Sequence, residues 1–494
     1  MRIKNVLSFS VGTLLSRVLG FVREATIAYL LGGKDAADAF YVAFRIPNLL
    51  RDLFAENSVQ TAFVPSYVEA KEKDKDADDF ANSVFTLTLL VLGFITIFGI
   101  LLAPLIVKLI AYGFTRYPDK FHLASSLTKI TFPFLLFISL SAVLGGILNS
   151  YKRFFIPAIS PVLYNVMVIS SGIIAYLVLK SSGYPYALAI GVVTGGIVQF
   201  IFTWYFVRKL NIRLNFRINL RHPMFKKFFT LLLPVVLSVS FVNLTLFFNT
   251  EIASFLGRGA VAYLSYAFRI MHLPIAIFGV AISTVILPTL VEKFAHEENM
   301  TEEFEHGISF LLFLIIPASL FMIKDAPGII EFLFQRGNFK AQDTVMVSQA
   351  LCFYAPLVVP SSLAKLFQSF YFAQGKVKIP NYSFAIAGIV NILFAWYLGF
   401  KIGFAGIALA SFIGVFVRFI ILSIPLLKEL RGRGEFLSNI TKIILLSFLF
   451  GLFLYTFNPY KDMANMFIHL LLGFGVYYFI GYLWGLFDVK RQKG

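Results

Sequence analysis

Apolar residues run through this chain in blocks of about 20, the length at which a helix crosses the hydrocarbon of a bilayer, and polar residues gather in short breaks between the blocks. The pattern predicts an all-α polytopic membrane protein with fourteen helices, at 5–31, 37–68, 80–112, 124–149, 156–179, 185–207, 228–256, 260–291, 307–334, 343–374, 380–400, 403–427, 437–457 and 463–487. The breaks carry the residues expected of loops, as in "KEKDKDADD", "GFTRYPDK", "NSYKRFFIP", "RKLNIRLNFRINLRHPMFKK" and "KELRGRGE". No stretch is left for a long soluble domain.

The first two helices break the apolar pattern. The first holds Arg17, Arg23 and Glu24; the second, with "FRIPNLLRDLFAEN" at 44–57 and its approach, holds Asp38, Arg45, Arg51, Asp52 and Glu56. Positions seven apart on a helix nearly coincide in projection, so Asp38, Arg45 and Asp52 form one stripe that Glu56 extends, and Arg17 and Glu24 share a face of the first helix. A charge near the bilayer centre costs roughly 2.5–3.5 kcal/mol on insertion scales, so such residues face a protein interior or a wet cavity and mark a pathway. Two readings follow. The charges neutralise one another as clamps between helices, or a surplus of arginine receives an anion. Counting does not decide, since Arg17, Arg23, Arg45, Arg51 and Arg269 stand against Glu24, Asp38, Asp52 and Glu56. That all five bases are Arg and none is Lys favours a phosphate-like ligand, which the guanidinium fork grips with two bonds.

Composition adds an orientation and some exclusions. The chain is 58% hydrophobic, with 58 Phe in 494 residues, and its net charge is +17. Lys and Arg near the predicted membrane ends number 23 on the side of the termini and 9 on the other, which predicts that both termini are cytoplasmic. The bases are spread over separate short loops, so they suit anionic headgroups and not a nucleic acid. The single cysteine, Cys352, can form no internal disulfide, and the six histidines lack metal-ligand spacing, so no metal or cofactor is expected.

The sequence also repeats. "AFRI" occurs at 43–46 and 267–270; "TAFVPSYVE" at 61–69 is matched by "TVILPTLVE" at 284–292; "IP" after a basic loop recurs at 156–157 and 379–380. The offsets of 223 to 224 residues predict a duplicated six-helix unit, an N-terminal lobe at 1–222 and a C-terminal lobe at 223–432, with a central site between them and two further helices at 433–494. In that register Arg269 corresponds to Arg45.

"SRVLGFVRE" at 16–24, "DAFYVAFRIPNLLRDLFAE" at 38–56, "AFVPSYVE" at 62–69, "ILNSYKRFFIPAISPVLYN" at 147–165 and "AFRIMHLP…GVAISTVILP" at 267–288 resemble the MurJ (MviN) family of bacterial lipid II flippases, within the multidrug/oligosaccharidyl-lipid/polysaccharide exporter superfamily. The similarity runs over nearly the whole chain. It implies two six-helix lobes around a cationic cavity and a groove for the polyprenyl tail formed with the last two helices. The family's functional residues carry over onto Arg17, Arg23, Arg51, Arg269 and Asp38, with Arg45, Glu24, Asp52 and Glu56 as secondary candidates. What the resemblance implies is transport of lipid II from the cytoplasmic to the outer leaflet of the bacterial inner membrane by alternating access, the arginines holding its diphosphate. The partners are then lipid II and membrane lipids, and the chain is expected to be a monomer. Where some relatives carry an acid after the helix-8 arginine this chain reads "RIMH", with His272. Where some hold sodium with carboxylates it has Asn249 and Asn391, which argues against a sodium site like theirs.

Other functions fit less well. An exporter of another lipid-linked oligosaccharide is the alternative within the superfamily. A membrane glycosyltransferase needs a catalytic base on a sizeable outer loop, and these loops are short. A multidrug exporter for organic cations wants a net acidic cavity, and a scaffold needs no charges in its spans.

Overall fold

A computed structural model describes residues 3–53, 58–73, 75–212, 214–426, 434–456, 466–467 and 469–486. All regular structure in them is helical. In chain order the α-helices are α1 Ile3–Leu31, α2 Asp35–Arg51, α3 Ser58–Glu72, α4 Ala77–Leu101, α5 Ala103–Ile110, α6 Pro118–Thr131, α7 Pro133–Ser150, α8 Phe155–Val178, α9 Tyr184–Arg208, α10 Met224–Phe255, α11 Ala260–Pro274, α12 Ala281–Ala295, α13 Thr301–Lys324, α14 Ala326–Phe334, α15 Ala341–Tyr354, α16 Val358–Ala373, α17 Lys378–Ile402, α18 Phe404–Leu426, α19 Gly434–Thr456 and α20 Phe474–Leu483.

Eleven helical stretches among the described residues are long and apolar enough to cross a membrane. The sequence-based count of fourteen adds three regions that this measure does not include: α1, the pair α2 and α3, and the stretch at 466–486. The first two hold Arg17, Arg23, Glu24, Asp38, Arg45 and Arg51 among the charged residues singled out above. Several spans read as single helices from hydropathy are jointed. The span expected at 80–112 is α4 and α5, and that at 307–334 is α13 and α14. Pro104 and Pro327 lie in the first turn of the second piece, where a missing N–H leaves no hydrogen bond unmade.

The duplication is visible in where the helices begin and end. Adding 223 to the bounds of α3 (58–72) gives those of α12 (281–295), and adding it to α6 (118–131) gives α15 (341–354). The last residues of α2 and α7, Arg51 and Ser150, map onto the last residues of α11 and α16, Pro274 and Ala373. The joint prolines obey the same offset, Pro104 with Pro327 and Pro133 with Pro356. The bounds of the nine helices α1–α9 thus recur, to within a few residues, in α10–α18.

By internal contacts the chain forms two compact units, residues 1–262 with 336–340, and residues 263–335 with 341–494. In the first, α8 lies between α1 and α9, and α7 packs on α3, α4 and α9. Phe63, Tyr67, Phe80, Leu144, Ile147 and Phe225 form its main apolar cluster, with Phe63 stacked on Tyr67 and Phe80 at 5.4 and 5.7 Å. The C-terminus of α1 is closed by Gly32, whose φ of +67° suits glycine and whose missing Cβ would lie 2.6 Å from the Asn338 carbonyl oxygen. Asn338 donates to the Tyr29 and Leu30 carbonyls at 2.9 and 2.7 Å, meeting acceptors the helix end leaves open. In the second unit α17 packs along α18, and α16 contacts α12, α13 and α18. Phe313 of α13, Phe450 of α19 and Tyr477 of α20 centre a further apolar cluster that ties the last helices to this unit.

Candidate functional site

The arginines of α1 and α2 occupy three environments in the first unit. Arg17 is exposed. Arg23, six residues further on, is drawn into a network: Nη2 and Nε donate to Glu24 Oε1 at 2.7 and 3.2 Å, Nη1 donates to Asn165 Oδ1 at 3.0 Å, and the guanidinium lies 5.2 Å from the Tyr164 ring centre. Glu24 is buried and takes a second bond from the Tyr41 hydroxyl, 2.8 Å from Oε2. Asn165 is held in turn by its own donation to the Ser16 carbonyl at 3.1 Å. Adjacent residues on a helix point about 100° apart. The pairing of Arg23 with Glu24 is made by the long Arg side chain folding back toward its neighbour.

Along α2 the charges separate. Arg51 and Asp52, at its C-terminal end, pair at 3.0 Å and are both half-buried, as is Arg45. Asp38 sits thirteen residues before Arg51, about 20 Å along the axis, and is fully enclosed. Its carboxylate pairs with Lys120 of α6 and accepts from the backbone N–H groups of Gly259 and Ala262 at 2.7 and 2.8 Å, at the start of α11. The free N–H groups and the dipole of a helix N-terminus favour a carboxylate there. Asp35 lies 3.5 Å from Lys120 and 3.4 Å from Arg258, and the Lys120 ammonium faces the Phe114 ring at 4.0 Å. Asp38 is therefore set apart from the Arg51–Asp52 pair, at the other end of α2. Glu56 lies outside the described residues.

In the second unit Arg269 is half-buried on α11. His272, three residues on, is exposed, bonds the Phe268 carbonyl at 3.0 Å and lies against the Phe268 ring at 4.0 Å. Asn391 donates to Ser411 Oγ at 3.0 Å, joining α17 to α18, and Asn249 is on α10.

Sequence reasoning missed Lys120, counted there as a loop charge in "GFTRYPDK". It belongs to α6, which begins at Pro118 and not at 124, and it is buried. The Pro118 start, a good first helical residue, was the available signal. It also passed over Tyr41, Tyr164 and Asn165 as partners, although Asn165 ends the quoted "ISPVLYN".

The sequence profile of the lipid II flippase MurJ family matches residues 27–474. The chain belongs to that family. The lipid II flippase MurJ of Burkholderia cenocepacia is 36% identical over 439 residues, covering 87% of this chain and 84% of the relative. A solved lipid II flippase MurJ in an inward closed conformation superposes with a TM-score of 0.85 at 26% identity, over 96% of this chain and 98% of that one. An inward-facing multidrug resistance transporter of the MATE family superposes at 0.67 with 15% identity, over 89% and 98%, a likeness of fold. This MurJ family member is a multi-pass membrane transporter and not an enzyme.

Proposed function

We propose that this chain moves lipid II from the inner to the outer leaflet of the bacterial cytoplasmic membrane, exposing its site alternately to the two faces, with both termini in the cytoplasm. Membership of the MurJ family carries the reading; the concentration of arginine on α1 and α2, the helices least suited to lipid, supports it. Arg17, Arg51 and Arg269 are the groups we assign to the diphosphate, each able to form paired charge-assisted bonds. Arg23 joins them with its Glu24 bond as a tether that presets its fork. Asp38, enclosed by Lys120 and two backbone amides, acts by positioning α2 and α11. The carrier works as a monomer in membrane lipid and needs no nucleic acid or cofactor.

The test is lipid II flipping in vesicles, measured with membrane abundance. Arg17→Ala, Arg51→Ala and Arg269→Ala are expected to abolish flipping at normal abundance, with Lys restoring only part because it keeps the charge and loses the fork. Arg23→Ala is expected to lower abundance as well, since it strands buried Glu24, and Arg23→Ala with Glu24→Gln restores abundance but not flipping. Normal flipping by folded alanine variants at all four positions would sink the diphosphate assignment.

A further inference from the structure

The second unit holds a buried cation that the arginine set above does not use. Arg418 is the only charged residue of α18 and is 6% exposed. Its Nη2 donates to Gln368 Oε1 of α16 at 2.8 Å, and the guanidinium carbon lies 3.5 Å from the centre of the Phe384 ring of α17. Its Nε is buried with no hydrogen-bond partner. No carboxylate lies within ion-pair distance of it among the described residues, and the sequence explains why: from Val358 to Leu426, across α16, α17 and α18, there is no Asp or Glu. A further positive charge makes matters worse. Lys365, one turn before Gln368 on α16 and half-buried, is close enough to repel Arg418.

An amide oxygen and an aromatic face give a guanidinium partial negative charge on two sides, but they do not neutralise it, and a buried donor without a partner calls for a bound water or ion. Nor does the repeated architecture require a charge at this point. At the 223-residue offset Arg418 falls on Gly195 of α9, where an added Cβ would lie 2.8 Å from the Tyr164 ring and 3.0 Å from its carbonyl oxygen. The first lobe keeps this helix position as small as possible; the second places an arginine there, with a lysine close by.

We propose that Arg418 and Lys365, with Gln368 alongside, form a binding site for a small monovalent inorganic anion enclosed by α16, α17 and α18. Arg418 Nε donates to the anion and the Lys365 ammonium balances the remaining charge. The enclosure of Arg418, 6% exposed, suits a small ion better than a phosphate carried on a lipid. The ion is a structural counter-charge, separate from the transported substrate, and the proposal does not depend on which lipid is carried.

Two measurements on the full chain test it. In crystals grown with bromide in place of chloride, an anomalous peak is expected within hydrogen-bonding reach of Arg418 Nε; a water or no density there in fully exchanged crystals overturns the proposal. In detergent at fixed ionic strength, chloride and bromide are expected to raise the melting temperature above its value in gluconate. That rise should be lost in Arg418→Gln and kept in Arg217→Gln, which alters an exposed loop arginine. A rise that persists undiminished in Arg418→Gln moves the anion elsewhere and overturns the site. Where Arg418→Gln fails to fold, the bromide position decides.

Discussion

The pair of Asp38 and Lys120 offers the sharpest energetic test of how the first unit is held together. Both side chains are enclosed, Lys120 at 3% exposure and Asp38 at 0%, so removing either leaves the other's charge in a dry interior, at about 3–5 kcal/mol for a typical buried pair. The two losses differ. Without Lys120, Asp38 keeps the Gly259 and Ala262 amides, which continue to stabilise its charge. Without Asp38, Lys120 retains half-exposed Asp35 at 3.5 Å and the face of the Phe114 ring, and the two amides at the start of α11 lose their acceptor, each bond to a charged group being worth about 1.5–3 kcal/mol before compensation by water. Asp38→Ala is therefore expected at or above the top of the 3–5 kcal/mol range and Lys120→Met near its lower end. At about 2–4 °C per kcal/mol for a unit of this size, the losses in melting temperature are roughly 6–20 °C. Asp38→Asn with Lys120→Met removes both charges, keeps an amide oxygen for the backbone donors, and should recover at least half of the loss. The assay is thermal melting of purified protein in detergent together with membrane abundance. A Lys120→Met loss equal to or larger than that of Asp38→Ala, or a double variant no better than the singles, would refute the clamp.

Two further outcomes are expected. Lys227 and then Lys73 hydrogen-bond Glu69 and hold its carboxyl at about 2, well below the usual 4.5; because the folded value is depressed, the stabilisation is full above about 4.5 and is lost as pH falls toward 2. The melting temperature of the parent should exceed that of Glu69→Gln at pH 6, with the gap closing as the pH is lowered, and a gap independent of pH would contradict the pairing. For orientation, with Cys352 replaced, cysteines at exposed Lys34 and Arg116 should react with an impermeant thiol reagent in intact cells, while cysteines at exposed Lys73 and Arg217 should not; labelling at 73 would reverse the topology.

The alternation of apolar blocks and polar breaks determined the all-helical membrane architecture by itself, because a span must satisfy its backbone internally and match the thickness of the hydrocarbon, both local properties of about 20 residues. An internal repeat was equally legible, since helix ends and prolines recur at the 223-residue spacing that "TAFVPSYVE" and "TVILPTLVE" already indicated. The unusual helices were also identifiable, because charge in α1 and α2 conflicts with lipid whatever the fold. Which charge meets which was decided only in three dimensions. Helical periodicity relates positions on one helix, so it grouped Asp38 with Arg45 and Asp52 and set Glu24 opposite Arg17. It carries no information on which face another helix covers, and Lys120 reaches Asp38 from 82 positions away while Asn165 meets Arg23 from 142. Arg418 shows the same limit from the other side: a lone charge in an apolar run reads as an exception in sequence, and that no carboxylate among the described residues reaches it is seen only once its neighbours on α16 and α17 are known. Partners of buried charges are chosen by packing between helices, and packing is a property of the assembled chain.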